Sequence, residues 1–379
     1  MLDPDTHDRL KVAVFSQIGQ DMGVLAGLRD EIEELRGHVR RIRPHTTTSM
    51  SLVGTDGGNN QIRFDPFLVQ VVRVVDSSNN EYCVEAVTPT TGVRGLSAAQ
   101  FDDSGEPRTA LGSMMQFLGV RDLTALSHMI HSNDEGRPIS PSWVQVYREL
   151  MEWAVLFKIL REKDFANDTI IVYDGLLRSK VFSGELFIRL SEGFAEQISR
   201  HRTSGRNIYL VGVAKHSKVL DRYRLALALQ GILRTNYPAY AEIPRDIEAK
   251  AYTWSEYARG SEVAEQGGEA NKFVAGKMFF VKFGPQQDDP IWPVDLFEPQ
   301  TAQAPEILGA LLADATEGFP VPYYPLCLQK AHENAALVDF DFDVIQDLVF
   351  DGIRDKLGNE APRMDEFQLQ AADPSALRY

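Results

Sequence analysis

Two aspartates in this chain stand where metal chemistry could be done. In "SLVGTDGGNNQ", Asp56 closes an apolar run and is followed by Gly57 and Gly58. In "TIIVYDGLL", Asp174 does the same before Gly175. Ligands of α/β sheets gather at the carboxyl ends of strands, and glycine lets the backbone turn sharply or a ligand come close. Asp-Gly is also a common turn signal, so either motif alone reads equally as a turn. Two of them, each after a strand expected to be central, point to one shared cleft.

A third acid comes from a helix expected over about Ser142 to Lys163. From Leu150 to Leu160 it is apolar nearly all round, the pattern of a helix buried on more than one side. Glu149 lies over Trp153, Leu156 and Leu160, and Glu152 lies over Val155, Leu156 and Ile159. A buried glutamate is costly unless it is paired or bound to a metal. An ion pair with Arg148 is the plainer alternative. Asp56, Asp174 and one of the two glutamates make a hard, all-oxygen donor set that suits Mg²⁺ or Mn²⁺. Such ions in pairs activate water and hold the leaving oxygen in phosphodiester cleavage.

The elements that must position these acids follow from periodicity. Residues 8 to about 43 read as helix, with Leu10, Phe15, Ile18, Met22, Leu25 and Ile32 among the apolar repeats, ending in the basic "RGHVRRIRP". Three strands with short links follow: "SMSLVGTD", "FLVQVVRVVD" and "EYCVEAVTP". After the 142–163 helix come strand "TIIVYD", a helix from about Ser183, strand "NIYLVGVAK" and the helical "KVLDRYRLALALQGIL". The first three strands suit an antiparallel meander. The later ones have helical crossovers and should be parallel. This order predicts an α/β, ribonuclease-H-like mixed sheet flanked by helices, with helical additions at both ends. Further on, "KMFFVKF" and "IWPVDLF" read as a hairpin, "PEILGALLADAT" as a helix, and helix resumes near Leu328. "GSEVAEQGGEA" reads as a mobile loop, residues 359–379 as frayed, and 90–140 as mixed. The expected division is a helical segment 1–45, a nuclease domain 46–345, and a helix and tail 346–379.

Composition sets further bounds. A chain of 379 residues, 44% apolar and 25% charged, is an ordinary globular composition with material for a large core. The net charge of −15 argues against a broad basic DNA-binding face, although metal ions or a local groove can still receive phosphates. Cys83 and Cys327 form no CxxC pair, so they read as reduced thiols of a cytoplasmic protein. The first residues do not read as a signal peptide, and no apolar run is long enough to span a membrane. P-loop, GxSxG, HExxH and GxGxxG motifs are absent.

"GTDGG", the glutamate-bearing helix, "IIVYDGLL", "IYLVGVAKHSKVL" and "YYPLCLQKAHENAAL" occur in the order seen in NurA nucleases. The chain resembles that family over about 48–345. The resemblance implies a ribonuclease-H-like core, cleavage of DNA with Mn²⁺ or Mg²⁺, and a homodimer docked on the hexameric DNA translocase HerA, in prokaryotic end resection or antiphage defence. It maps the first strand ligand onto Asp56, the second aspartate onto Asp174, and the helix glutamate onto Glu152 or Glu149, with Glu152 preferred by its spacing to Asp174. It places an active-site histidine at His332 and a tyrosine at Tyr324, with Tyr323 its rival. It also sets Lys215 after the fifth strand, near a phosphate. Tyr324 there could stack on a base. A non-catalytic, DNA-binding or regulatory subunit of the same ATPase is the competing expectation.

Overall fold

The computed structural model describes residues 3–45, 50–64, 67–140, 142–253, 272–336 and 339–363. The "GSEVAEQGGEA" stretch and residues 364–379 lie outside them. Nine strands of the described residues form one sheet: β1 (Val39–Arg41), β2 (Met50–Phe64), β3 (Phe67–Asp76), β4 (Glu81–Val87), β5 (Asp168–Asp174), β6 (Ile208–Val213), β7 (Ala239–Glu242), β8 (Gly276–Lys282) and β9 (Trp292–Phe297). Their order is β1-β7-β8-β9-β6-β5-β2-β3-β4.

The half β4-β3-β2-β5-β6 is the ribonuclease-H-like arrangement. β2, β3 and β4 are an antiparallel meander, while β5 pairs in parallel with both β2 and β6. The expected hairpin is present as antiparallel β8 and β9, and β9 continues the sheet antiparallel to β6. Among the described residues, no helix is long and apolar enough to cross a membrane.

Helices cover both faces. The Trp143–Glu162 helix lies in a core with Leu150, Trp153, Phe157, Phe187 and Phe194, against one face of β2 and β5. The Ala304–Thr316 and Leu326–Ala335 helices pack on the opposite face with Ile170, Val172 and Val211. The all-apolar middle of the Trp143–Glu162 helix is thereby explained, since its residues from Trp153 to Phe157 are all buried.

Two expectations about boundaries are corrected. The N-terminal helix ends at Ile32; the basic stretch after it forms a short helix, Leu35–His38, and then edge strand β1, paired with β7. Charged side chains suit a sheet edge, where one side meets water. The helix buries Ile32 against Val219, Leu220 and Tyr223, but Leu10, Phe15, Ile18 and Met22 are exposed. The second correction concerns Asp56. β2 does not stop at the glycines; it runs on to Phe64. Side chains alternate across a strand, and the neighbours explain each glycine in turn. A Cβ at Gly54 would strike the Cys327 carbonyl, and one at Gly58 the Ala335 carbonyl, both on the Leu326–Ala335 helix. A Cβ at Gly57, on the other face, would strike the Glu152 carboxylate. The glycines let helices lie flush on both faces of one central strand.

Candidate metal centre

The parallel register of β2 and β5 pairs Thr55 with Tyr173. The next residues, Asp56 and Asp174, therefore stand level on neighbouring central strands. By strand alternation they share a face with Gly54 and Gly58, the face covered by the Leu326–Ala335 helix. That helix brings His332 in. Its Nδ1 lies 2.7 Å from Asp56 Oδ2. Asp56, Asp174 and His332 each offer a ligand atom, and these atoms lie within 4.8 Å of one another.

The carboxylates are shielded and the imidazole is open. The Asp56 and Asp174 side chains are 11% and 12% exposed, that of His332 63%. Lys215 Nζ, just past the end of β6, donates to Asp174 Oδ2 at 3.0 Å. Tyr324 Oη donates to Asp174 Oδ1 at 2.8 Å. Gly175, at φ 152°, turns the chain immediately after Asp174. Burial pushes the Asp56 carboxyl up from its ordinary value, and the Asp174 charge adds to this; His332 and Lys215 oppose it.

Glu152 approaches from the opposite face, on the side of Tyr173 and Gly57. It is not one of the 4.8 Å triplet. Its carboxylate receives the Tyr173 hydroxyl at 3.0 Å and pairs with Arg148 at 3.2 Å, the pairing the helix spacing allowed. Burial, helped by the Asp56 charge and against the pull of Arg148, pushes its carboxyl up to about 8. Glu149 turns away and accepts from the Ser179 hydroxyl. Of the two glutamates, Glu152 is the one that feels Asp56.

Between the tyrosines the structure also separates roles. Tyr324 is fully buried, edge-on to Trp292 at 4.9 Å between ring centroids, with Lys215 over its ring. A buried ring cannot stack on a base; its hydroxyl orients Asp174 instead. Tyr323 is half-buried and turns the chain at φ 57°. Sequence reasoning missed Tyr173, although its place beside Asp174 in an apolar run was visible.

The fold and site together describe a ribonuclease-H-like α/β protein with a carboxylate–imidazole centre at its middle strands. The chain is similar in structure to NurA nucleases. The NurA nuclease from Sulfolobus solfataricus matches with a TM-score of 0.47 and 14% identity, over 94% of this chain and 99% of that one. A NurA bound to dAMP and manganese matches at 0.38 and 12% identity, over 90% of this chain and 96% of its own. A NurA with manganese matches at 0.39 and 12%, over 88% and 96%. No family model matches the sequence, and no curated protein matches it.

Proposed function

We propose that this chain is a metal-dependent deoxyribonuclease that hydrolyses phosphodiesters with Mn²⁺ or Mg²⁺ held at Asp56, Asp174 and His332, Glu152 contributing from the other face. The observation that carries the reading is the 4.8 Å convergence of two shielded carboxylates and an imidazole on the central strands of this sheet. Hard oxygen donors with one imidazole fit Mn²⁺ and Mg²⁺. The upward push on Asp56 and Glu152, caused first by burial and then by a neighbouring carboxylate (Asp174 on Asp56, Asp56 on Glu152), fits as well, because a divalent ion would offset both. When bound, such an ion activates water and stabilises charge on the phosphate.

The chain's own groups have separate tasks. Tyr324 and Lys215 fix the two oxygens of Asp174. Tyr173 and Arg148 fix Glu152. Lys215 is also placed to meet a phosphate oxygen beside Asp174. His332 is open to solvent, so it can hold Asp56 or a metal and can protonate a leaving oxygen. The motif order shared with NurA nucleases supports a wider reading. In it, residues 46–345 form the catalytic domain of a cytoplasmic homodimer that works on a HerA-type hexameric ATPase, in DNA end processing or antiphage defence. Exposed Leu10, Phe15, Ile18 and Met22 give such an assembly apolar surface.

The test is cleavage of labelled linear single- and double-stranded DNA in Mn²⁺, Mg²⁺ or EDTA, with and without the ATPase. Cutting in metal that stops in EDTA and in Asp56→Ala is the expected result. Folded, ATPase-bound protein that cuts under none of these conditions would sink the enzyme reading and leave a non-catalytic DNA-binding subunit.

A further inference from the structure

Beside the acid centre runs a groove of about 460 Å³, between the Lys218–Gln230 helix and the turn that leads into β9. Ile232, Leu233 and Trp292 give it an apolar floor. Lys215, His216 and Arg224 line it with cationic or protonatable groups. Farther along, Arg234 is held by Asp288 at 3.1 Å and Asp289 lines the same end, so positive charge is left mainly at the end near Lys215. The Arg224–Asp221 pair, at 3.5 Å between exposed side chains, does little to neutralise Arg224.

Two links join this groove to the centre. Lys215 lines the groove while its ammonium touches Asp174. Trp292 packs edge-on against Tyr324, whose hydroxyl holds the same aspartate. The indole Nε1 of Trp292 is buried without a hydrogen-bond partner among the described residues, and an N–H left in that state is costly.

We infer that this groove seats the sugar-phosphate backbone of a single DNA strand next to the scissile bond, with phosphates on Lys215, His216 and Arg224 and the strand's apolar surface on the Ile232–Trp292 floor. The inference rests on the nuclease reading and adds the substrate tract to it. A single strand combines backbone charge with base and sugar surface that an apolar floor accepts. The groove also gives a chain of net charge −15 a local place to meet phosphate.

The experiment uses the full chain and a fluorescein-labelled ten-nucleotide oligothymidylate, followed by anisotropy in EDTA over a salt series. Its second arm is hydrolysis of bis(p-nitrophenyl) phosphate in Mn²⁺, a diester with no neighbouring nucleotides to lie along the groove while its phosphate is at the centre. His216→Ala/Arg224→Ala should weaken oligonucleotide binding about tenfold and flatten the salt slope by about 0.7 for each phosphate the variant no longer neutralises. It should leave hydrolysis of the small diester unchanged. Arg200→Ala/Arg202→Ala, removing charge from a helix away from the groove, should change neither. Unchanged binding in the groove variant, or an equal weakening in the control, overturns the inference. If the wild type hydrolyses neither DNA nor the small diester, the nuclease reading falls, and anisotropy alone still decides whether the groove holds the strand.

Discussion

The same sheet carries two clusters of acids and cations, and they end in opposite states. In the first, Asp56, Asp174 and Glu152 share Lys215, Arg148 and an exposed histidine, and burial leaves two of the carboxyls pushed up. In the second, Arg178 grips Asp295 with two parallel bonds of 2.7 and 2.9 Å and also pairs with Glu248. Arg245 pairs with Glu248 from the other side and with Glu298 at 3.2 Å. Asp295 and Glu248 are fully buried, and their charges hold the Arg178 guanidinium above its already high value despite its burial. Bidentate pairing satisfies geometry and charge at once. The second cluster is closed on itself and braces β8, β9 and the Arg245–Lys250 helix. The first leaves an open histidine beside two shielded carboxylates whose ligand atoms lie within 4.8 Å of it, an arrangement that can take a cation.

That contrast can be broken at either cluster. Asp174→Ala should reduce metal-dependent DNA cleavage at least about ten-thousand-fold, about 5.5 kcal/mol of barrier, with the melting temperature held or raised because a like charge beside Asp56 is gone. Arg178→Met should do the reverse. It leaves buried Asp295 without its cation and Glu248 with Arg245 alone, at a cost of about 3–5 kcal/mol in urea unfolding, while cleavage per folded molecule stays near wild type. If Arg178→Met abolished activity without loss of stability, the two clusters would not be separate in kind.

Finer tests sharpen the boundary. Tyr324→Phe removes one donor to Asp174 and should slow cleavage about tenfold, the scale of one hydrogen bond to a charged group. Stacking on DNA would instead predict little loss, since the ring remains. The last test concerns pH. The Glu152 carboxyl moves from 4.5 to about 8 on folding, so the metal-free native state holds its proton more tightly than the unfolded chain. Stability from this group is full below pH 4.5 and is lost as pH rises through about 8. The melting temperature without metal should therefore fall by several degrees across that window. Mn²⁺ should restore it at the alkaline end, and Glu152→Gln should flatten the profile.

The central strands were legible because they are long apolar runs with turn residues between them, and Asp56 and Asp174 because glycine follows each. The meaning of the glycines after Asp56 was not legible. A sequence shows that side chains are missing, but not that helices on both faces need the space. β7 was hidden for a different reason: "AYAE" is four residues long among prolines, and its partners β1 and β8 lie far off in sequence. β1, "VRR", was disguised by its own charge. Asp295 sits in an apolar strand as Asp56 does, so strand acids alone do not separate a site from a brace. Arg178, distant in the chain, makes that distinction. Spacing to Asp174 already favoured Glu152 over Glu149; Tyr173 and Gly57, neighbours that only the packed sheet supplies, add to that preference.

Asp56 and His332 touch across 276 positions of chain. A ribosome making this protein completes both carboxylate strands long before it reaches the helix that carries the imidazole. Until that helix emerges and docks against Gly54 and Gly58, the centre lacks one side. A chain cut short before that helix would hold both carboxylates without the imidazole and without the surface that covers them.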